Sequence, residues 1–356
     1  MSPATTEAID ATESTATTPG LVCAHHHLYS SLARGMPAPP ATPRDFPEIL
    51  RWIWWRLDRA LDLDLVRWSA LLGALEALEA GTTAIVDHHA SPNAIDGSLD
   101  VIAEACAEVG VRVRTCYEVT DRNGPAGARA GLAENARSLR AGNPGHVGAH
   151  ACFTLSDDTL DAVVGLAADL GVGVHIHVAE APADADAGDR LDGRAGDDWL
   201  LAHGVHLDRP LPGTVLHNPR SNLNNAVGYG RPARFPRVAL GTDGIGGDVL
   251  EEFRVAFALL RTDDVTASPD TAWGWLAAGW DLVPEALDDR VTWSYMPMEP
   301  WHLAYTPTVR ATRVEIAGEV VLDERGPTRV DATEIRAKAA EASARLFARM
   351  DELGDD

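Results

Sequence analysis

Short apolar, β-rich runs alternate with longer amphipathic stretches over most of the chain. The runs fall at residues 21–24, 83–87, 111–118, 147–153, 172–178, 199–203, 214–217 and 238–242. Between them, residues 96–109, 126–141, 157–170 and 249–260 carry apolar side chains at helical spacing. The runs lack the polar alternation of a half-exposed strand, as expected when both faces of a parallel sheet are covered. Eight such runs with intervening helices predict an α/β fold, a (β/α)8 TIM-like barrel.

Two intervals are thin. Residues 181–198 are rich in Asp, Ala and Gly, and 204–213 are too few for a full helix, so the fifth and sixth crossovers are expected to be abbreviated. After the barrel, residues 309–323 read as a β-hairpin turning at Ala317-Gly318. Residues 331–350 read as a helix, with Asp331 as its cap and Glu334 three residues on. The expected organisation is a flexible tail over 1–19, a barrel over 20–308, and a C-terminal hairpin and helix over 309–356.

Composition narrows the chemistry. The chain has 356 residues, 46% hydrophobic and 23% charged, which is ample for a buried core. Asp+Glu is 53 against Lys+Arg 30, a formal net charge of −23. That charge repels phosphate backbones and anionic lipid, so nucleic acid and membrane are not expected partners. The N-terminal stretch has no basic, apolar leader pattern, and no run of about 18 apolar residues occurs, so a cytoplasmic protein is expected. The one lysine, Lys338, lies near the C-terminus, which excludes a P-loop and makes Schiff-base chemistry a poor fit. Cys23, Cys106, Cys116 and Cys152 show no CxxC spacing and read as buried, reduced thiols.

The candidate chemistry sits at strand ends. In a barrel these gather at the mouth, where several strands each contribute a side chain. The first run ends in His25-His26-His27, and residues two apart on a strand share a face, so His25 and His27 point inward together. The fifth ends in His175-Ile176-His177-Val178-Ala179-Glu180, the sixth at His203, and the eighth at Asp243. Singly, a strand-end His reads as a hydrogen-bonded residue and a strand-end Asp as a helix cap. Together they offer nitrogen and oxygen ligands for Zn²⁺ or Fe²⁺. Trp52 and Trp55 share a helix face and either pack in the core or wall a pocket for a planar substrate.

The order HxH, HxxE, AH, TDG resembles the amidohydrolase superfamily. Longer runs, 21–30, 34–37, 87–94, 150–156 and 217–222, resemble its chlorohydrolase/cytosine-deaminase (ATZ/TRZ) branch, closest to the SsnA-type aminohydrolases. The resemblance implies one divalent metal ion, zinc, iron or manganese, held by His25, His27, His177 and Asp243. It implies that Glu180 shuttles protons, that His203 orients a metal-bound hydroxide, and that Asp243 doubles as the base. Binuclear relatives bridge two metals with a lysine on the fourth strand. This chain has His150 in that region, so one metal is expected, with His150 on the substrate. His88 and His217 are further candidates for the substrate wall.

The implied reaction is attack of metal-bound hydroxide on an sp² carbon of a C–N bond, as in hydrolytic deamination of a small N-heterocycle. Ring-opening amide hydrolysis or dechlorination remains an alternative, and so does an inactive barrel serving as a binding or scaffold protein. Relatives of this branch carry an N-terminal sandwich half. Here 20 residues precede the first strand, so a small remnant β-sandwich is expected, built mostly from the C-terminal strands. The resemblance also implies a homodimer. Gly204 stands after His203 where relatives commonly have Cys.

Overall fold

The first apolar run is buried end to end and forms β1 (Leu21–His26) in the computed structural model, which describes residues 16–353. Seven more strands follow: β2 (Thr82–His89), β3 (Arg112–Tyr117), β4 (Val147–Ala151), β5 (Val174–Val178), β6 (Leu200–His203), β7 (Thr214–His217) and β8 (Val238–Leu240). All pair in parallel, in two groups, β1-β2-β3 and β4 through β8 in order. Single bridges replace ladders at the seams. Thr115 meets Gly145 and Val119 meets Ala149 at one, and His26 meets Asp243 at the other. The strands therefore follow one another around a (β/α)8 barrel.

Helices cover the outside: α1 (Leu63–Glu79), α2 (Ser98–Val109), α3 (Gly124–Arg140), α4 (Asp157–Leu170), α5 (Val249–Asp263) and α6 (Pro269–Ala277). Side-chain caps start several of them. Asp62 accepts from Leu65 N at 2.9 Å, Ser156 from Thr159 N at 3.2 Å, and Asp248 from Glu251 N at 3.1 Å. The fifth crossover is reduced to a turn and the five-residue helix Ala187–Leu191, and the sixth contains no helix. Too few apolar side chains are available there to bury a helical face.

The C-terminal strands β9 (Arg290–Trp293), β10 (Ala311–Ile316) and β11 (Glu319–Asp323) form the centre of a five-stranded antiparallel sheet. The hairpin turns at Ala317 and Gly318, with φ of 52° and 82°, the pair of left-handed residues that a two-residue hairpin requires. Most of the tail expected over 1–19 lies outside the described residues. Its last part is ordered: Thr17–Thr18 adds an edge strand to β9, and the Trp293 indole donates to Thr18 Oγ1 at 2.8 Å. The sheet thus draws on both chain ends and on residues 290–293, inside the span expected as barrel. Helix α7 (Ala332–Glu352) follows, capped by Asp331, and lays Ile335, Ala339, Ala342, Leu346 and Met350 into the core as one stripe.

Two apolar layers sandwich the strands. Leu21 and Cys23 pack outward with the helices, whereas Val22 and Ala24 join Ala84, Val86, Leu200, Ala202, Leu216 and Ala239 inside. Unbroken alternation would send His25 and His27 outward with Cys23. The register between β1 and β2 shifts between Cys23 and His26, and this irregularity turns both imidazoles inward. β1 and the end of β8 must also approach closely. A Cβ on Gly241 would lie 2.7 Å from His25 Cβ and 2.5 Å from Asn218 Oδ1.

Gly241→Ala should therefore cost about 1–3 kcal/mol of stability in urea unfolding, because backbone must move to relieve the overlap. Gly165→Ala, in α4 with open space around its built Cβ, should be neutral or gain up to about 1 kcal/mol.

Candidate active site

Four ligand atoms, one each from His25, His27, His177 and Asp243, lie within 4.8 Å of one another at the C-terminal end of the barrel. His27 Nε2 is 2.9 Å from Asp243 Oδ1, His25 Nε2 is 3.6 Å from the same oxygen, and His177 Nε2 is 3.2 Å from His27 Nε2. Backbone carbonyls aim two of the rings. His27 donates through Nδ1 to His88 O at 2.5 Å, and His177 through Nδ1 to His150 O at 3.0 Å. A carbonyl only accepts, so each ring carries a proton on Nδ1 and turns Nε2 toward the other ligand atoms. The Ser221 hydroxyl donates to the other oxygen of Asp243.

Three site residues gain their direction from left-handed backbone. Ala179, His203 and Asp243 have φ of 46°, 74° and 54°. Each stands where a strand ends, and conformations this rare in non-glycine residues persist only when the surroundings impose them. His203 follows inward-facing Ala202, so alternation would turn it out. The left-handed step brings its Nε2 instead to 3.5 Å from Glu180 Oε2 and 3.8 Å from Asp243 Oδ2. Its Nδ1 donates to Asn222 Oδ1 at 2.8 Å.

Burial sets the protonation states. It drives His177 well below the usual imidazole range and His25 down to about 3, so both stay neutral. Burial also works against charge on His27, but the Asp243 carboxylate overrides it and raises His27 to about 9. For Asp243, burial favours the neutral acid, yet the His25 and His27 imidazoles against it, with positive charge on His27, win and hold the carboxyl well below its usual range. Glu180 moves oppositely. Burial, then the nearby Asp243 charge, push it well above the usual carboxyl range. One cleft thus holds an ionised and a protonated carboxyl side by side.

The site opens into a cleft. Tyr29, Phe46, Leu50, Trp54 and Trp55 form its apolar side, and Asp58, Glu118, His150 and Asn225 its polar side. The expected Trp52/Trp55 face gives way to Trp54 with Trp55, because residues 50–54 wind as a π-helical turn that shifts the helical phase. His150 reaches the cavity, with Nδ1 2.7 Å from Thr154 Oγ1. His88 lies below the wall, its ring 4.5 Å from that of His177 and its Nε2 3.0 Å from Ala149 O. His217 is outside the cavity wall, packed near Tyr229 and Trp275.

Asp58 and Glu118 on the wall, and Arg122 against them, escaped the sequence reading. Arg122 pairs with buried Asp58, stacks over Trp55 and lies 3.7 Å from Glu118. Glu118 ends an apolar run just as Asp243 does, so strand-end position could have flagged it. Asp58, in a helical stretch, carried no such signal.

A sequence model described as the amidohydrolase family matches residues 16–272. The chain is 32% identical over 285 residues to a 5'-deoxyadenosine deaminase of Methanopyrus kandleri, covering 70% of this chain and 63% of that protein. It is 29% identical over 295 residues to a 5-methylthioadenosine/S-adenosylhomocysteine deaminase of Shouchella clausii, covering 72% and 64%. The chain therefore spans less than two thirds of the length of either relative. Among solved structures, an adenosine deaminase from Xanthomonas campestris with bound zinc superposes with a TM-score of 0.78 at 23% identity, over 94% of this chain and 86% of that one. An atrazine chlorohydrolase from Arthrobacter aurescens complexed with zinc and atraton superposes with a TM-score of 0.76 at 20% identity, over 92% and 88%. These two likenesses establish the shared fold.

Burial pushes Glu118 up to about 7, with Arg122 opposing and Asp58 reinforcing. In the unfolded chain a glutamate ionises near ~4.3. The folded protein thus binds the extra proton between those values, and stability falls as pH rises through about 7. Urea unfolding from pH 5 to pH 8 should show a steeper loss for the unsubstituted protein than for Glu118→Gln.

Proposed function

The chain belongs to the amidohydrolase family, and on that premise we propose that it is a zinc-dependent hydrolase that deaminates adenosine-type nucleosides. The observation that carries the reading is the pairing of a four-ligand centre with oppositely protonated Glu180 and Asp243 in one cavity. The donor set suits a divalent cation. Nε2 of His25 is buried without a hydrogen-bond partner, His27 and His177 are tied back through Nδ1, and three imidazoles with a carboxylate suit zinc, iron or manganese. The neighbour structure with bound zinc favours zinc, and the absence of a barrel lysine favours one ion.

A divalent cation held there would acidify a water molecule towards a pKa of ~7. The side chains supply the rest. Asp243, ionised and 3.8 Å from His203 Nε2, accepts the proton of the attacking water. His203 offers Nε2 as a hydrogen-bond acceptor, because Nδ1 already donates to Asn222, and so fixes the water's direction of approach. Glu180, whose burial favours the protonated acid, donates its proton to the ring nitrogen beside the attacked carbon and regains one from the hydroxyl left on that carbon, while Asp243 passes the water's first proton to the departing amine. Ammonia leaves and the carbon keeps the water's oxygen. The apolar wall of Phe46, Leu50, Trp54 and Trp55 suits the flat face of a purine. The substrate class follows from the deaminases named among the relatives.

The test combines metal content with a product assay on protein purified without added metal or chelator. About one zinc per chain is expected, with ammonia and an inosine-type product from 5'-deoxyadenosine or 5'-methylthioadenosine. Chloride release from a chlorotriazine, or ring opening without ammonia, would move the assignment to another bond. Absence of both metal and turnover would support the scaffold alternative. His27→Ala should lose metal retention and turnover together. Glu180→Gln should keep its metal and lose about 10²–10⁴ in kcat.

A further inference from the structure

Strand β5 carries two inward imidazoles, and the proposed chemistry uses only His177. His175 lies deeper in the barrel and is completely buried. Its Nε2 is 2.8 Å from Nδ1 of His25. Its Nδ1 is 3.7 Å from Cys116 Sγ, and that sulfur is 3.6 Å from the backbone carbonyl of Asp87. The other two ligand imidazoles rest on backbone carbonyls, so His25 differs in leaning on another ring.

The proton positions along this line can be deduced from its far end. The Asp87 carbonyl only accepts, so Cys116 donates its S–H there. The sulfur is then an acceptor, and His175 donates through Nδ1–H. With Nδ1 as its donor, His175 turns Nε2 to His25 as the acceptor. His25 must donate to it through Nδ1–H, which leaves Nε2 of His25 bare and directed at Asp243, 3.6 Å away. Space for the sulfur is reserved by Gly148, whose built Cβ would lie 2.9 Å from Cys116 Sγ and 2.4 Å from Tyr117 O.

We infer that His175, backed by Cys116, is the positioning residue that fixes the tautomer and orientation of His25 for metal binding. This rests on the reading of His25 as a metal ligand. Outer partners of ligating histidines commonly hold the ring and raise ligand basicity. A neutral imidazole does so without adding a further negative charge to the barrel core.

Zinc affinity, measured by competition with a chromophoric chelator, tests the inference without an activity assay. His175→Leu should bind zinc about 10–100-fold more weakly. His175→Gln places an amide oxygen near the position of Nε2 and should restore affinity close to that of the unsubstituted protein. His175→Asn is too short to reach and should behave like the Leu variant. Unweakened binding by His175→Leu, or a Gln variant as weak as Leu, overturns the inference. Should the Leu variant fail to fold, long-range ¹H–¹⁵N correlation spectra of the unsubstituted protein decide. They should show His175 protonated at Nδ1 alone; protonation at Nε2 or at both nitrogens overturns the inference. Zinc uptake by the unsubstituted protein separates the two claims. If it takes up none, the metal reading falls and this inference with it; if it does and His175→Leu matches it, only this inference falls.

Discussion

Three imidazoles and a carboxylate are confined within 4.8 Å in a buried barrel mouth, and the arrangement around them answers that electrostatic demand. Buried this closely, the imidazoles cannot all be charged, and a lone carboxylate there would be costly to desolvate. Burial keeps His25 and His177 neutral, and partners at the Nδ1 atoms direct the Nε2 atoms to one point. Asp243 remains ionised because His25 and His27 satisfy it. A divalent cation would complete the same balance with its own charge.

The backbone is bent to meet this geometry. The register shift in β1 turns His25 and His27 inward, and left-handed residues at the ends of β5, β6 and β8 set the directions of Glu180, His203 and Asp243. Regular strands would deliver only one side chain per two residues to the interior. Departures from regularity concentrate where the side chains must converge, and the surrounding ladders hold them in place. The thin fifth and sixth crossovers leave β5, β6 and β7 intact, because those strands are held by their neighbours in the sheet.

The contrast between Glu180 and Asp243 arises from partners, since both are buried. Asp243 has the His27 imidazole and the Ser221 hydroxyl against it; Glu180 faces the Asp243 charge with little to offset burial. Burial therefore favours the proton on Glu180 over Asp243. The same logic extends to the wall, where Arg122 neutralises Asp58 while Glu118 stays less satisfied and closer to the neutral form.

Periodicity was legible along the chain alone. Eight apolar runs defined the ring, the poor stretches at 181–198 and 204–213 marked the reduced crossovers, and Ala317-Gly318 marked the hairpin turn. It also placed His25, His27, His177, His203, Glu180 and Asp243 at strand ends, because strand ends are visible as the points where apolar runs stop. The tertiary structure decided which way those side chains face, since a bulge or a left-handed residue leaves little local signature in composition. It drew Thr17–Thr18 and residues 290–293 into the C-terminal sheet, a long-range pairing that local pattern does not encode. It excluded His217 from the cavity wall, brought in Glu118 and Asp58, the latter paired with Arg122, and exchanged Trp52 for Trp54 through a π-helical turn. Periodicity is a property of neighbours along the chain, whereas the direction, protonation and pairing of a side chain depend on groups that only folding brings near.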